Sequence, residues 1–319
     1  MPRNTGWPLM PRADVRAFRN RVQPVATGSA VASGPRGGGG VIPATLYEMA
    51  DRFDAFLVDQ FGVLLDGTAA YPWAPAALMR LAATEKPVIV LSNSGKRAAP
   101  NAARLISLGF AQDAFRLVLS SGEAAWRALD RRIGVGLDKG TRVWLHGRDG
   151  DRSQIDGLDL VPVAVPAEAG LLVLAGSLGD RMTLAEYEAL LRPAAIAGIP
   201  MLCTNPDLEM LTPGGVKFGA GRIAERYVAM GGRVEWIGKP HPLIYAEAAR
   251  LLPGIAPDRV LCIGDSPAHD VAGGRAAGYA TALVRTGLCA GLSDADLLAH
   301  CETAGALPDF VLPSFDFLT

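Results

Sequence analysis

The sequence predicts an α/β protein: a doubly wound parallel sheet carrying a second, smaller α/β domain inserted between its two halves. Three observations lead there. From Pro43 onward, strand-length apolar runs alternate with amphipathic helical patterns, the signature of a parallel sheet covered on both faces. The alternation changes character near Ser120 and resumes late in the chain. The stretch between holds strands and a helix of its own. A chain of 319 residues is long enough for two such units.

Taken in order, "AFLV" (Ala55 to Val58) is the first buried strand, followed by the helical "APAALMRLAAT" (Ala74 to Thr84). "PVIVLS" (Pro87 to Ser92) and "APNAARLISLG" (Ala99 to Gly109) repeat the strand–helix unit. The inserted stretch contributes "RVWLHG" (Arg142 to Gly147), "GLLVLAG" (Gly170 to Gly176) and "IPMLCTN" (Ile199 to Asn205) as strands. Its helix is "LAEYEALLRPAAIAG" (Leu184 to Gly198), and "DGDRSQIDG" (Asp149 to Gly157) is a polar break. The first pattern returns with "VEWIG" (Val234 to Gly238), "PLIYAEAARLL" (Pro242 to Leu252), "RVLCIGDS" (Arg259 to Ser266), "DVAGGRAAG" (Asp270 to Gly278) and "ATALVRTG" (Ala280 to Gly287). The expected division is therefore a core of residues 41–119 and 214–319, with 120–213 inserted. Residues 1–40 are a Gly- and Arg-rich stretch read as a disordered tail.

Composition narrows the function classes. Hydrophobic residues are 50% and charged residues 20% of the chain, with a net charge of -1. That balance makes no electrostatic case for nucleic acid or an anionic membrane, so any anion must be held by a local site. No apolar run reaches the roughly 18–20 residues of a membrane span. The four cysteines, Cys203, Cys262, Cys289 and Cys301, form no CxxC pair. They read as reduced thiols, which fits a cytoplasmic location.

In an open parallel sheet, ligands bind at the carboxyl ends of the strands, and reactive groups stand at four such positions. Asp59 ends "AFLVD", Ser92 and Asn93 end "VIVLSN", Lys239 follows "VEWIG", and Asp265 ends "VLCIGD". Each alone has an ordinary structural explanation as a cap, a turn or a solvated lysine. Together they describe a phosphate site. A carboxylate attacks phosphorus and splits hydrolysis into two easier displacements. A hard cation must bridge the two anions, and Mg²⁺ favours carboxylate and carbonyl oxygens. Asp265 is its natural second ligand. Ser92, Asn93 and main-chain amides would hold phosphoryl oxygens, and Lys239 would neutralise them and align Asp59. Asp270 either orders Lys239 and the metal's shell or simply caps a helix.

The ordered set "VDQFGVL", "LSNSGK", "GKPHP" and "GDSPAHD" resembles the four motifs of the haloacid dehalogenase superfamily of phosphohydrolases. The inserted segment, with "CTNPD" (Cys203 to Asp207) and "GGVKFGAGRIAERY" (Gly214 to Tyr227), is similar to the class IIA (C2) α/β cap of that superfamily. The resemblance implies Asp59 as nucleophile, Ser92 and Asn93 as phosphate binders, Lys239 as the third-motif lysine, and Asp265 as the Mg²⁺ ligand. Asp270 and Ser266 support it, and the backbone carbonyl of Phe61 is a further metal ligand. Asn205 and Asp207 fall where such a cap rejoins the core, as substrate-side residues or as a plain Asn-Pro-Asp turn. A small phosphorylated substrate and a homodimer through the cap are further implications.

One position departs from the pattern. The superfamily's phosphatases usually carry a second aspartate two residues after the nucleophile, as proton donor to the leaving oxygen, and here stands Phe61. Three readings follow. The protein is a phosphatase whose substrate needs little acid help or that recruits another acid, Asp66 and His241 being near in sequence. It is a phospho-ligand-binding protein with weak or no turnover. Or it is a metal-independent 2-haloacid dehalogenase, against which the acidic pair in "GDSPAHD" argues.

Overall fold

The computed structural model describes residues 42–212 and 215–317; the expected tail, residues 1–40, lies outside them. Strand Ile42–Pro43 (β1) and helix Leu46–Arg52 (α1) open the chain, the helix closed at its N-terminus by a Thr45–Glu48 capping box. Ala55–Asp59 (β2), Ala74–Ala82 (α2), Val88–Ser92 (β3), Ala98–Ser107 (α3), Leu117–Ser120 (β4) and Ser121–Arg132 (α4) follow. The middle of the chain holds Thr141–His146 (β5), Leu160–Pro162 (β6), Leu171–Leu174 (β7), Leu184–Ile196 (α5), Met201–Cys203 (β8), Glu209–Thr212 (β9), Gly215–Phe218 (β10), Ala220–Ala229 (α6) and Val234–Trp236 (β11). Pro242–Leu251 (α7), Val260–Gly264 (β12), Ala272–Ala276 (α8), Ala280–Val284 (β13), Asp294–Thr303 (α9) and Phe310–Leu312 (β14) complete it.

Two parallel sheets result. The first runs β1-β14-β13-β12-β2-β3-β4 and the second β11-β8-β7-β5-β6, with β9 and β10 as a separate antiparallel pair. Both faces of the first sheet are covered, so every residue of β2, β3, β12 and β13 is buried. Phe56, Val58, Val90 and Ile263 face one cluster with α1 and α2. Their neighbours Leu57, Ile89, Leu91 and Cys262 face another, as the two-residue period of a strand requires. From β2 the strand order runs one way through β3 and β4 and the other way through β12 and β13. The reversal at β2/β12 is the switch point where such sheets open a crevice, and Asp59 and Asp265 stand there.

Three segments sit differently from the expected division: helix α6, expected in the first unit, packs on α5 and the second sheet. The strand in "VEWIG", expected in the first unit, pairs with β8 as an edge of the second sheet. Three residues with alternating exposure are too short to declare which sheet they complete. In the other direction, α4 was expected in the inserted unit. It packs on β4 and α7, and its Ala124, Ala125 and Leu129 share a cluster with Ile89 and Leu91. That cluster extends to Val143, Val173 and Leu202 of the second sheet, so one face of the second sheet is buried against the first unit. Its other face, with Trp144, Leu172 and Met201, is covered by α5 and α6. Among the described residues, no helix is long and apolar enough to cross a membrane, and all four cysteines are free and buried.

Half-buried at the end of β5, His146 meets the Tyr187 hydroxyl at 2.7 Å, and that hydroxyl accepts from the backbone N–H of Leu178 at 2.9 Å. The tyrosine's single proton is thereby directed at the imidazole, which suits a neutral ring. Burial pulls the His146 pKa from 6.5 to about 4. The unfolded chain therefore binds more protons between pH 6.5 and 4, and stability falls as pH falls through that window. The lost stability approaches about 3 kcal/mol below pH 4. Denaturant midpoints measured at pH 7 and pH 5 should separate more for the wild type than for His146→Gln; equal separations would remove the assignment.

Candidate active site

Asp59 ends β2, and the chain after it turns sharply. The N–H groups of Leu64 and Leu65 both reach back to the Gln60 carbonyl, and Gly62 donates to the Leu65 carbonyl. Asp265 follows β12 directly, and a short helical turn, Pro267–Val271, carries Asp270 onto the same crevice. Lys239 arrives differently from the expectation. It lies on the chain returning from β11 of the second sheet rather than at the end of a first-sheet strand. It is held by Asn93, whose Oδ1 accepts the Lys239 N–H at 2.7 Å and whose Nδ2 donates to the Lys239 carbonyl at 3.1 Å.

The charged groups converge away from water. The Lys239 ammonium lies 2.5 Å from Asp59 Oδ1 and 2.7 Å from Asp270 Oδ1, and is only 3% exposed. Asp59 Oδ1 also accepts the Gln60 N–H at 2.7 Å. Asp270 Oδ2 accepts the Ser266 N–H at 3.1 Å, and Asp265 Oδ2 accepts the Leu288 N–H at 2.7 Å. One ammonium thus faces three buried carboxylates. Burial, with the charges of Asp270 and Asp265 added, pushes Asp59 well above the usual carboxylate range against the pull of Lys239. Asp265 is pushed up to about 6, by burial and then by Asp270. Burial alone would lower Lys239, but Asp270 and Asp59 outweigh it and hold the ammonium above its ordinary value.

Excess buried negative charge is what a cation site requires. Asp59, Asp265 and Asp270 place carboxylate oxygens within 4.8 Å of one another. Both oxygens of Asp270 are occupied by Lys239 and Ser266, so Asp59 and Asp265 are the acids best placed to face an ion. Hard oxygen donors suit Mg²⁺ or a similar cation. Glycine is required beside them. Gly62 has φ +81°, and a Cβ there would lie 1.9 Å from Asp265 Oδ2; Gly287, at φ +54°, would meet the same oxygen at 2.0 Å. The sequence reading missed both, and their only trace in it is a glycine after Phe61 and another after Thr286.

The remaining expected residues divide. Ser92 is buried at the end of β3, its Oγ accepting the Ser94 N–H at 3.3 Å. Asn93 is less free than expected, because its Nδ2 also donates to Asp207 Oδ1 at 2.9 Å. It therefore ties the lysine loop to the segment leaving β8. Burial raises the Asp207 pKa despite that bond. Asn205 closes the Asn-Pro-Asp turn, its Oδ1 accepting the Asp207 N–H at 3.1 Å. Ser266 Oγ accepts the His269 N–H at 3.3 Å and so caps the turn that carries Asp270. Asp66 is exposed and is occupied in a turn, accepting from Thr68 and Ala69 at 2.8 Å. His241 stacks on Trp236, ring centroids 5.5 Å apart. The Phe61 side chain is 40% exposed, with the Arg104 guanidinium 5.1 Å from its ring centroid.

Comparison with known proteins places this arrangement. Residues 56–161 match a family model described as haloacid dehalogenase-like hydrolase, and residues 236–317 match one described as HAD-hydrolase-like. Chronophin of Bos taurus is 30% identical over 256 residues, covering 77% of this chain and 85% of that protein. The sugar-phosphatase AraL of Bacillus subtilis is 29% identical over 267 residues, covering 82% and 91%. A solved structure of a haloacid dehalogenase-like hydrolase from Brucella suis superposes with a TM-score of 0.71 at 26% identity, covering 86% of this chain and 99% of that one.

The crowding at Gly62 yields a stability test. Gly62→Ala should cost at least about 2 kcal/mol, since it adds a clash to the strain of a left-handed alanine. Gly67→Ala, at φ +113° with nothing within 4 Å of its Cβ, should carry the strain alone. Equal losses in denaturant titrations would show that Asp265 is not pressed against Gly62.

Proposed function

We propose that this chain, which belongs to the haloacid dehalogenase-like hydrolases of the class IIA type with an inserted α/β cap, is a Mg²⁺-dependent phosphatase of small phosphate monoesters. The observation that carries the reading is the buried Lys239 ammonium between Asp59 and Asp270, with Asp265 beside them at the switch point. A purely structural ion pair has no need of the second and third carboxylates, which are costly to bury.

In this reading Asp59 attacks phosphorus through a carboxylate oxygen, the P–O bond to the leaving alcohol breaks, and its electrons leave with that oxygen. Water then attacks the aspartyl-phosphate at phosphorus, the P–O bond to Asp59 breaks to restore the carboxylate, and the proton the water loses reaches the departed alkoxide through solvent. Lys239 holds the Asp59 carboxylate in line and offsets charge on the phosphoryl oxygens. Asp270 keeps Lys239 in place. The Ser92 hydroxyl and neighbouring main-chain amides would hold phosphoryl oxygens, while Asn93 acts by fixing the lysine loop. Asp59, Asp265 and the Phe61 backbone carbonyl would hold Mg²⁺, whose chemistry is to neutralise the developing charge. The second sheet would shield the site from water. The related sugar-phosphatase AraL and 5'-nucleotidase YutF of Bacillus subtilis support the reaction class, with a sugar phosphate or nucleotide as the substrate range.

Phe61 has no proton to give, and its exposed ring is engaged by Arg104. Leaving oxygens that need no protonation should therefore react best. Phosphate release in the presence of Mg²⁺ should be lost with chelator and fall at least about 10³-fold in Asp59→Asn. Unchanged turnover in that variant would sink the nucleophile assignment. Across esters of increasing leaving-group basicity the rate should fall steeply. Phe61→Asp should restore about 10- to 100-fold on alkyl phosphates with little effect on p-nitrophenyl phosphate. The same residue favours one second reading, a phospho-ligand binder without turnover, and tight binding with no phosphate release from any ester would select it.

A further inference from the structure

The turn after β2 is held from two sides. On one side lies the loop after β13. Its Thr286 hydroxyl donates to the Gly62 carbonyl, and its Gly287 N–H donates to the Tyr71 hydroxyl at 3.3 Å. The next residue, Leu288, supplies the N–H that Asp265 accepts. On the other side stands α3, which contributes one exposed residue, Arg104. Arg104 Nη2 donates to the Gly67 carbonyl at 2.7 Å, and the same guanidinium lies 5.1 Å from the centroid of the Phe61 ring.

One side chain thus grips both ends of the segment Phe61–Gly67. Between those ends the segment is bonded to itself. Gly62 donates to the Leu65 carbonyl, Leu64 and Leu65 donate to the Gln60 carbonyl, and Asp66 closes its own turn with Thr68 and Ala69. A segment so bonded transmits a displacement at one end to the other. The peptide that enters Gly62 carries the Phe61 carbonyl, and Gly62 itself is pressed so closely on Asp265 that a Cβ would lie 1.9 Å from Oδ2. A guanidinium stacks favourably on an aromatic face. Residue 61 has therefore exchanged a proton donor for an anchor.

We propose that Phe61 and Arg104 form a clasp that positions the metal-facing turn, the ring of Phe61 acting through its own backbone on the affinity of the site for a divalent cation. The inference rests on the metal site of the phosphatase reading and gives the aromatic side chain at position 61 a role within it. Both side chains are positioning residues, with no part in bond making or breaking.

Calorimetric titration of Mg²⁺ into the substrate-free protein reads the clasp without turnover. Arg104→Ala, a replacement at an exposed helix position, should weaken binding about tenfold, the low end of the effect of groups that orient metal ligands. Arg104→Lys keeps a cation for the ring and should lose only about threefold. Phe61→Leu keeps the carbonyl, removes the ring and should also weaken binding. Arg104→Ala added to Phe61→Leu should then cost less than it does in the wild type. An unchanged Mg²⁺ Kd in Arg104→Ala overturns the inference. Losses that simply multiply in the double variant overturn it too, since Arg104 would then act without the ring. A wild type that binds no Mg²⁺ has the same consequence. The phosphatase reading fails on a different measurement, the absence of phosphate release from p-nitrophenyl phosphate by the wild type. Release by the wild type, with equal Mg²⁺ Kd values for it and Arg104→Ala, would leave that reading standing and remove this one.

Discussion

One ammonium shared by buried carboxylates organises this molecule. Lys239 sits between Asp59 and Asp270 with Asp265 alongside, so three acids out of water answer to a single fixed cation. Such a cluster is unfavourable by itself, and the raised pKa of Asp59 and Asp265 expresses that strain. A divalent cation would bring the fully ionised set to neutrality. The surrounding architecture is arranged to tolerate the close approach: left-handed glycines at Gly62 and Gly287 let backbone meet Asp265, and Asp270 is held from both sides. These constraints all meet at the ends of two adjacent parallel strands, β2 and β12, because that is where the winding reverses and leaves space.

The lysine at the centre does not belong to the sheet that presents the acids. It comes from the connection out of β11, an edge of the second sheet, and Asn93 grips both its N–H and its carbonyl. Asn93 also holds Asp207 on the segment after β8. The end of β3 is thus wired to two separate connections of the inserted unit. The shared apolar cluster of Leu91, Ala124, Val143 and Leu202 fixes the two sheets over a broad face. The site's electrostatics therefore depend on how the second unit is seated, although none of its strands supplies a carboxylate to the cluster.

Much of this was legible in the sequence, for physical reasons. Doubly covered parallel strands must be continuously apolar, so a polar residue at the end of such a run stands out. Asp59, Ser92 and Asp265 are all of that kind. The order of these signals and the long α/β stretch between them disclosed the two-unit architecture. What stayed hidden depended on partners far away in sequence. Val234–Trp236 is a strand only because β8 is beside it. The α4 helix has an apolar face that suits either unit, and β4 and α7 decide. Asn93 looked like a phosphate ligand because its neighbour Ser92 fits that role; that its amide is occupied by Lys239 and Asp207 is a tertiary fact. Asp66, near the first motif in sequence, is turned outward by its own Asx turn. Gln154 sits in a polar run that carries no periodic signal, and only the structure shows it buried.

Phe61 shows how the same strand-end geometry can keep one function and remove another. Its backbone remains in the turn that presents Gly62 to Asp265, so in the proposed reading its carbonyl could still face a cation there. Its side chain faces partly into solvent beneath Arg104 and offers no titratable group to the leaving oxygen. Within the described neighbourhood, Asp66 is occupied in its turn and His241 lies against Trp236. In a phosphatase built this way the burden of a difficult departure would shift from an internal acid to the alcohol itself. If the chain is a phosphatase, discrimination between esters then rests on the basicity of the leaving oxygen, while the phosphoryl end is treated alike in every ester.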